Sequence, residues 1–260
     1  MKVSVIIPAH NEEKSIIPTI EALLAQDYPN LEIIIVDNAS TDKTSEVARK
    51  FERNLTNNSD VSTNSTATST PHISLKVVYE SKKGLLHARE RGRKEATGEI
   101  IVNMDADCLP THGHISHGAQ HFHTLNGHKS IVAVTGPYDY HDGHPIFRFV
   151  SISLQKYIYR FVSNFLQLPF IRNGAVLIGG NNFIRADILR KAGGYNVSIT
   201  FYGEDTDTAK RIAPFGKVHF DPALSLKTSA RRFKEEGNVK ITFKYLFHFW
   251  KTIFSSTKKD

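Results

Sequence analysis

The chain has 260 residues, of which 40% are hydrophobic, with a net charge of +7 and a single cysteine, Cys108. This is enough apolar chain to bury one large core, so a wholly disordered protein is excluded, and a lone thiol excludes an intrachain disulfide framework. The apolar run after Met1-Lys2 is too short for a secretory leader and has no small-residue cleavage site behind it, so a cytoplasmic protein is expected.

The first elements in chain order are KVSVIIPA and LEIIIVD, short continuous β-branched runs expected of parallel strands covered on both faces. Between them NEEKSIIPTIEALLAQ opens on Asn11 as a cap, has an acidic first turn, and sets Ile16, Ile20, Leu23 and Leu24 at helical spacing. A second unit follows: STDKTSEVARKF reads as a helix after Asp37, SLKVVYE as a strand, GLLHARERGRKEAT as a helix, and EIIVNM as a strand after Gly98. Alternating strands and helices predict an α/β protein whose ligands bind beyond the carboxyl ends of the strands. Asp37 and Asp105 both lie at such ends.

Between Phe51 and Leu75 the composition turns to Ser, Thr and Asn with almost no apolar residues. Such a segment cannot offset its ordering entropy by burial, and a disordered inserted loop is expected over about residues 54–72.

Past residue 145, PIFRFVSISLQKYIYRFVSNFLQLPFI is aromatic and aliphatic but interrupted by Arg148, Lys156 and Arg160, which predicts an amphipathic helix rather than a membrane span. VKITFKYLFHFWKTIFSSTKK near the C-terminus has the same character. From Lys227 onward there are nine Lys/Arg against three acidic residues, a local net charge of +6. Two readings stand: helices of an accessory layer, or a peripheral contact with an anionic membrane surface on its cytoplasmic face. In the second, Tyr245, Phe249 and Trp250 sit at headgroup level and Lys240, Lys244 and Lys251 meet the lipid charge. No nucleic-acid partner is expected.

Asp105 and Asp107, one residue apart after a strand, are the residue types that bind a hard divalent ion, Mn2+ or Mg2+, while leaving positions for phosphate oxygens. Alone, Asp-x-Asp in a loop also serves as a turn cap. A second acidic group, YGEDTD at residues 202–207, reads on its own as acids stabilising a helix N-terminus. THGHISHGAQHFHTLNGH carries six histidines at 112, 114, 117, 121, 123 and 128. His117 and His121 have the i, i+4 spacing of metal ligands, but with no cysteine or carboxylate ligand nearby in sequence the expectation is incidental metal affinity.

Taken together, VSVIIPAHNEE, IIIVDNASTDKT, GLLHARERGRKEATGEIIVNMDADC, GGNNFIRADILRKAGGYN and FYGEDTDTAKRI occur in the order found in family 2 glycosyltransferases, and the chain resembles that family over about residues 3–232. Arg89 stands 16 residues before Asp105, as in the family's helix before its aspartates. Two motifs depart from the usual pattern, PAHNEE for Pro-x-Tyr-Asn-Glu and DNAS for DDGS, which bears on the base of the nucleotide.

The resemblance implies a GT-A fold, a Rossmann-like mostly parallel sheet with helices on both faces, over residues 1–232, followed by a basic amphipathic segment at 233–260. It implies a metal-dependent inverting transfer of a sugar from a nucleotide-sugar donor, with a uridine nucleotide expected, to a glycan or lipid-linked hydroxyl, as in polysaccharide synthesis. Pro8, His10, Asn11 and Glu12 would line the nucleoside site, Asp37 would accept from the base, and Arg89 would help to hold the nucleotide. Asp105 would contact ribose or metal, Asp107 would bind the metal, Asp205 with its neighbour Glu204 would be the base, and Arg231 or Arg232 would close over the diphosphate. Gly179 and Gly180 would leave room for close approach of a sugar or acceptor, or serve a tight turn into a strand. The rival readings are a glycoside hydrolase with a carboxylate pair and a catalytically silent scaffold of the same fold.

Overall fold

The computed structural model describes residues 1–61, 72–123, 131–169, 171, 174–199 and 202–254. The first part alternates β1 (Val3–Ala9), α1 (Ile16–Leu24), β2 (Asn30–Asp37), α2 (Thr44–Val61), β3 (His72–Tyr79), α3 (Leu85–Glu95) and β4 (Ile100–Met104). Then come α4 (His114–Gln120), β5 (Ile131–Thr135), β6 (Tyr138–Tyr140), α5 (Pro145–Leu154), a π-helical turn (Gln155–Tyr159), α6 (Arg160–Leu166), β7 (Asn181–Arg185) and α7 (Ala186–Lys191). The last part comprises α8 (Glu204–Ile212), β8 (Lys217–Phe220), β9 (Leu226–Thr228), α9 (Arg231–Glu236) and α10 (Asn238–Phe254).

Seven strands form one sheet in the order β3-β2-β1-β4-β7-β5-β8, parallel except for β7; β6 and β9 pair separately. The period-2 alternation of the strands divides the core between two faces. Val3, Val5 and Ile7 of β1 join Leu31, Ile33 and Ile35 of β2 beneath Ile16, Ile20 and Leu23 of α1. Ile6, Ile34 and Val36 point the other way, onto Leu86 and Ala88 of α3. All three of these strand residues are fully buried, and each such side chain contributes about 1.5–3 kcal/mol. Continuous β-branched runs are therefore what a sheet sandwiched between helices demands.

β7 enters the sheet antiparallel between β4 and β5, with Asn181 opposite Met104. Its start thus lies beside the carboxyl end of β4, which brings Gly179 and Gly180 to the loop that carries Asp105.

Two expectations change at element boundaries. Asn11 does not cap α1: it has φ 56, and the helix begins at Ile16. Its side chain instead accepts a hydrogen bond from Thr41 N at 2.8 Å, tying the loop after β1 to the loop after β2. The supposed disordered loop does not start at 54, because α2 continues to Val61. Phe51 and Leu55 pack on the core and Glu52 accepts from Val77 N at 2.9 Å, so this turn has partners that composition alone does not show. Residues 62–71 of that stretch lie outside the described residues, as does His128.

At the C-terminal side α10 lies along α8. Lys210 Nζ donates to Thr252 O at 3.2 Å and to Ile253 O at 2.9 Å, while Ile241 and Ile253 are buried. The opposite face carries Phe243, Phe247, Trp250 and Phe254, all exposed and spaced as one helical stripe. On α5, the π turn and α6, Phe149, Val150, Tyr157, Ile158, Phe161 and Phe165 form a second exposed apolar stripe. The two meet at a groove lined by Phe161, Phe165, Trp250 and Phe254. Tyr245, 37% exposed, also packs its ring edge-on against Tyr202 at 5.3 Å. Lys244 likewise pairs with Glu236 at 2.9 Å. Among the described residues no helix is long and apolar enough to cross a membrane.

Candidate active site

The loops after β1, β2 and β4 meet at one end of the sheet. Asn38 N donates to Ala9 O at 2.8 Å, and His10 Nδ1 lies within hydrogen-bonding distance of Asn38 O, at 2.9 Å, so the ring is held against the β2 loop. Pro8 is half-buried at the end of β1. Asp37 is buried, and its Oδ1 accepts from Ser40 N at 3.1 Å. Asp37 therefore shapes the loop, and Asp42, whose Oδ1 accepts from Thr44 N at 2.9 Å, takes the position before α2.

Arg89, on α3, is only 3% exposed and reaches between two acidic groups: Nη2 lies 3.3 Å from Asp105 Oδ1, and Nη1 lies 4.0 Å from Glu204 Oε1. Burial works against its charge, but Asp105 and Glu204 outweigh that and raise its pKa. Its Nε, also buried, has no hydrogen-bond partner among the described residues. The other oxygen of Asp105 accepts from the Tyr138 hydroxyl at 2.8 Å. Asp105 is thus held on both oxygens by residues 16 and 33 positions away.

The space for this arrangement comes from Gly180. A Cβ there would lie 2.3 Å from both Asp105 Oδ2 and Tyr138 Oη, far inside contact distance. The space a side chain would take at Gly180 is filled by the Asp105 carboxylate and the Tyr138 hydroxyl. A buried network fixes the turn: Asn103 Nδ2 donates to Asn182 Oδ1 at 2.7 Å, Tyr195 Oη donates to Asn103 Oδ1 at 2.8 Å, and Asn182 Nδ2 donates to Ile178 O and Gly179 O, each at 2.8 Å.

Asp107 points to a different set of groups. Its Oδ1 accepts from Thr228 Oγ1 of β9 at 3.2 Å. Burial, then the nearby charges of Asp105 and Glu12, push its carboxyl up to about 6. Arg231 opposes this; it also pairs with Glu12, Nη2 to Oε1 at 2.6 Å. Glu12, Asp105, Asp107 and Arg231 therefore form one charged group, reached from the loops after β1, β4 and β9. Arg232 turns away from it, pairing with Glu236 at 3.2 Å and standing 5.4 Å over the Tyr202 ring.

Asp205 is the second residue of α8, which follows Tyr202, with a positive φ of 61, and Gly203, with φ 84. Its Oδ1 accepts from Thr206 N at 2.7 Å, a bond that the first turn of a helix offers. Burial, then the charge of Glu204, raise its pKa to about 7. The two adjacent acids differ in their closest partners: Glu204 lies 4.0 Å from Arg89 Nη1, while Asp205 accepts from Thr206 N and feels Arg89 only as a more distant charge. Tyr159 and Tyr245 are both raised by burial first, and the charge of Asp205 adds to each. Asp207 supports the same helix through Arg211, 2.8 Å away.

Sequence reasoning missed Tyr138, Thr228, Tyr159 and Tyr202 as parts of this site. TGPYDY lies shortly before the first aromatic run and LKTSA directly before Arg231, but neither string names its aspartate. Sequence reasoning also found no carboxylate for the histidine cluster, whereas folding places Asp221 Oδ2 at 2.8 Å from His117 Nε2 and 2.9 Å from His121 Nε2.

The mostly parallel sheet with acidic loops at its carboxyl ends matches the GT-A glycosyltransferase fold. The profile of the family described as glycosyl transferase family 2 matches residues 4–193, and the chain belongs to that family. The glycosyltransferase AglE of Haloferax volcanii is 28% identical over 217 residues, covering 82% of this chain and 62% of that protein. The mannosyltransferase PcManGT of Pyrobaculum calidifontis, solved with GDP-Man and Mn2+, superposes with a TM-score of 0.69 at 23% identity, covering 98% of this chain and 65% of that one. Staphylococcus aureus TarS with UDP-GlcNAc gives a TM-score of 0.59 at 20% identity, covering 89% and 59%. The chain spans less than two thirds of the length of the curated relatives it matches first, 62%, 26% and 58% of them.

Proposed function

We propose that this glycosyltransferase moves a sugar with inversion from a uridine-diphosphate-linked donor to an acceptor hydroxyl, with Asp205 as general base. The observation that carries the reading is the division of labour between adjacent acids. Glu204 is turned to Arg89, whereas Asp205 stands at the start of α8 with a carboxyl that titrates near neutrality. A group of that kind is matched to taking a proton from a hydroxyl at physiological pH. The acceptor O–H proton passes to Asp205 as the oxygen attacks the anomeric carbon, and the bond to the diphosphate breaks on the opposite face.

The donor side is read from the other charged group. Pro8, His10, Asn11 and Asp37 line the nucleoside end, and Arg89 fixes Asp105. The residue types suit Mn2+ or Mg2+: Asp105 and Asp107 would supply hard carboxylate oxygens, and the repulsion that Asp105 and Glu12 exert on Asp107 is what a cation would relieve. When bound, the ion neutralises charge on the departing diphosphate. Arg231 adds a fixed positive group on the same side, while Arg232, over Tyr202, belongs to the acceptor side.

The acceptor is read as lipid-linked. The two exposed apolar stripes lie on the helices that bring Tyr159 and Tyr245 to Asp205, and the basic tail supplies the charge that anionic lipid attracts. Purified protein incubated with individual sugar nucleotides tests the proposal: release of nucleoside diphosphate, dependent on Mn2+ or Mg2+ and lost in Asp205→Asn, supports it. No release from any donor would favour the silent scaffold.

A further inference from the structure

The histidine cluster lies outside the transfer site. His117 is on α4 and His121 caps its end, so the i, i+4 spacing sets both rings on one side of the helix. Asp221 follows β8, the edge strand of the sheet, 104 and 100 residues away in sequence. Its Oδ2 faces both Nε2 atoms, at 2.8 and 2.9 Å, and all three ligand atoms lie within 4.8 Å of one another.

Each of the three is positioned by the fold. Asp221 N donates to Thr135 O at 2.8 Å, and its Oδ1 accepts from Ala223 N at 2.8 Å, which leaves Oδ2 to the histidines. α4 is seated tightly on β7 at Gly118, where a Cβ would fall 2.3 Å from the Phe183 ring. The His121 ring also lies against that of His219, at 5.0 Å between centroids. The His117 and His121 side chains are 36% and 21% exposed and that of Asp221 is 11%, so an ion can enter and keep a water ligand.

We propose that His117, His121 and Asp221 bind one divalent transition-metal ion of the zinc type, linking α4 to the end of β8. Two imidazole nitrogens and one carboxylate oxygen form a donor set that favours Zn2+ over Mg2+, with water as the fourth ligand. In four-coordinate geometry with bonds near 2.0–2.1 Å, ligand atoms stand about 3.3 Å apart, so each oxygen–nitrogen distance, now 2.8 and 2.9 Å, need open by only about half an ångström. The outward hydrogen bond of Asp221 to Ala223 is the kind of support that orients a metal-binding carboxylate. This site is independent of the sugar-transfer reading, whose acids lie on the loops after β4 and at the start of α8.

The test titrates Co2+ and then Zn2+ into the untagged full chain carrying Asp107→Asn, so that the acidic loop contributes little. The expected result is a visible Co2+ band of four-coordinate intensity, displaced by one equivalent of Zn2+, with Zn2+ raising the melting temperature. His117→Ala and His121→Ala each weaken Zn2+ binding by about tenfold or more, whereas His123→Ala, exposed and outside the cluster, does not. Zn2+ binding weaker than about 1 mM, or equal in His117→Ala and its parent, would overturn the proposal and leave the rings as hydrogen-bond donors to Asp221.

Discussion

Replacing Asp205 by Asn should move activity and stability in opposite directions. As a general base Asp205 acts in the transition state, so turnover should fall by about 10²–10⁴, or about 2.7–5.4 kcal/mol, with donor affinity little changed. The stability effect follows from its surroundings. Its folded-state pKa is raised, by burial and then by Glu204, so the native protein holds a proton that the unfolded chain releases earlier. Between the ordinary carboxylate value and about 7 the wild type therefore loses stability as pH rises. A shift from 3.8 to about 7 bounds the loss at about 4 kcal/mol, and partial exposure of the side chain brings the expected figure to about 1–2 kcal/mol. Asparagine has no charge to bury and keeps an oxygen for Thr206 N. Thermal melts of both proteins at pH 5 and pH 8, beside steady-state kinetics, make the assay: the variant should be inactive and melt higher than wild type, by more at pH 8. Wild-type turnover should also rise with pH through about 7. A variant that keeps its rate, or one that melts lower at pH 8 than at pH 5 relative to wild type, would refute the reasoning. Damage confined to Glu204→Gln would move the base by one residue.

Asp107→Asn should abolish Mn2+- or Mg2+-dependent turnover without lowering the melting temperature at pH 7, since a buried carboxyl pushed up to about 6 costs stability once ionised; full activity in the presence of chelator would remove the metal role. Gly180→Ala places a methyl group 2.3 Å from Asp105 Oδ2 and Tyr138 Oη, so about 1–3 kcal/mol of stability and most of kcat/KM should be lost, measured by denaturant unfolding and donor turnover. Replacing residues 62–71 by a short Gly-Ser linker should leave the melting temperature and donor binding nearly unchanged, because their composition has little apolar area to contribute; a large fall in either would show that the segment packs on the domain. The protein should sediment with anionic vesicles and much less with neutral ones, weakening with salt and in Phe247→Ala and Trp250→Ala, since each basic residue near the surface contributes about 1 kcal/mol; indifference to anionic vesicles at low salt would remove the main support for a lipid-linked acceptor.

What the sequence by itself determined is local. The β-branched runs that fill β1, β2 and β4, the helical spacing of Ile16, Ile20 and Leu23, and the acidic strings around Asp105 and Asp205 are readable because side-chain period and chemistry are written in consecutive residues. Their joint order also carried the family. Where the chain departed from local expectation, as at Asn11 and residues 54–61, contacts made elsewhere in the fold decided: Thr41 for the first, Val77 and the core beneath Leu55 for the second. The pairings that give each acid its chemistry were decided only by tertiary structure. Thr228 reaches Asp107 across 121 residues, and Arg231 reaches Glu12 across 219. Arg89 stands between Asp105 and Glu204 because β7 inserts antiparallel beside β4 and carries Gly179 and Gly180 to the same corner. No local pattern encodes such encounters: strand order and direction set which loop ends become neighbours, and a carboxylate's pKa depends on neighbours and burial rather than on its place in a motif.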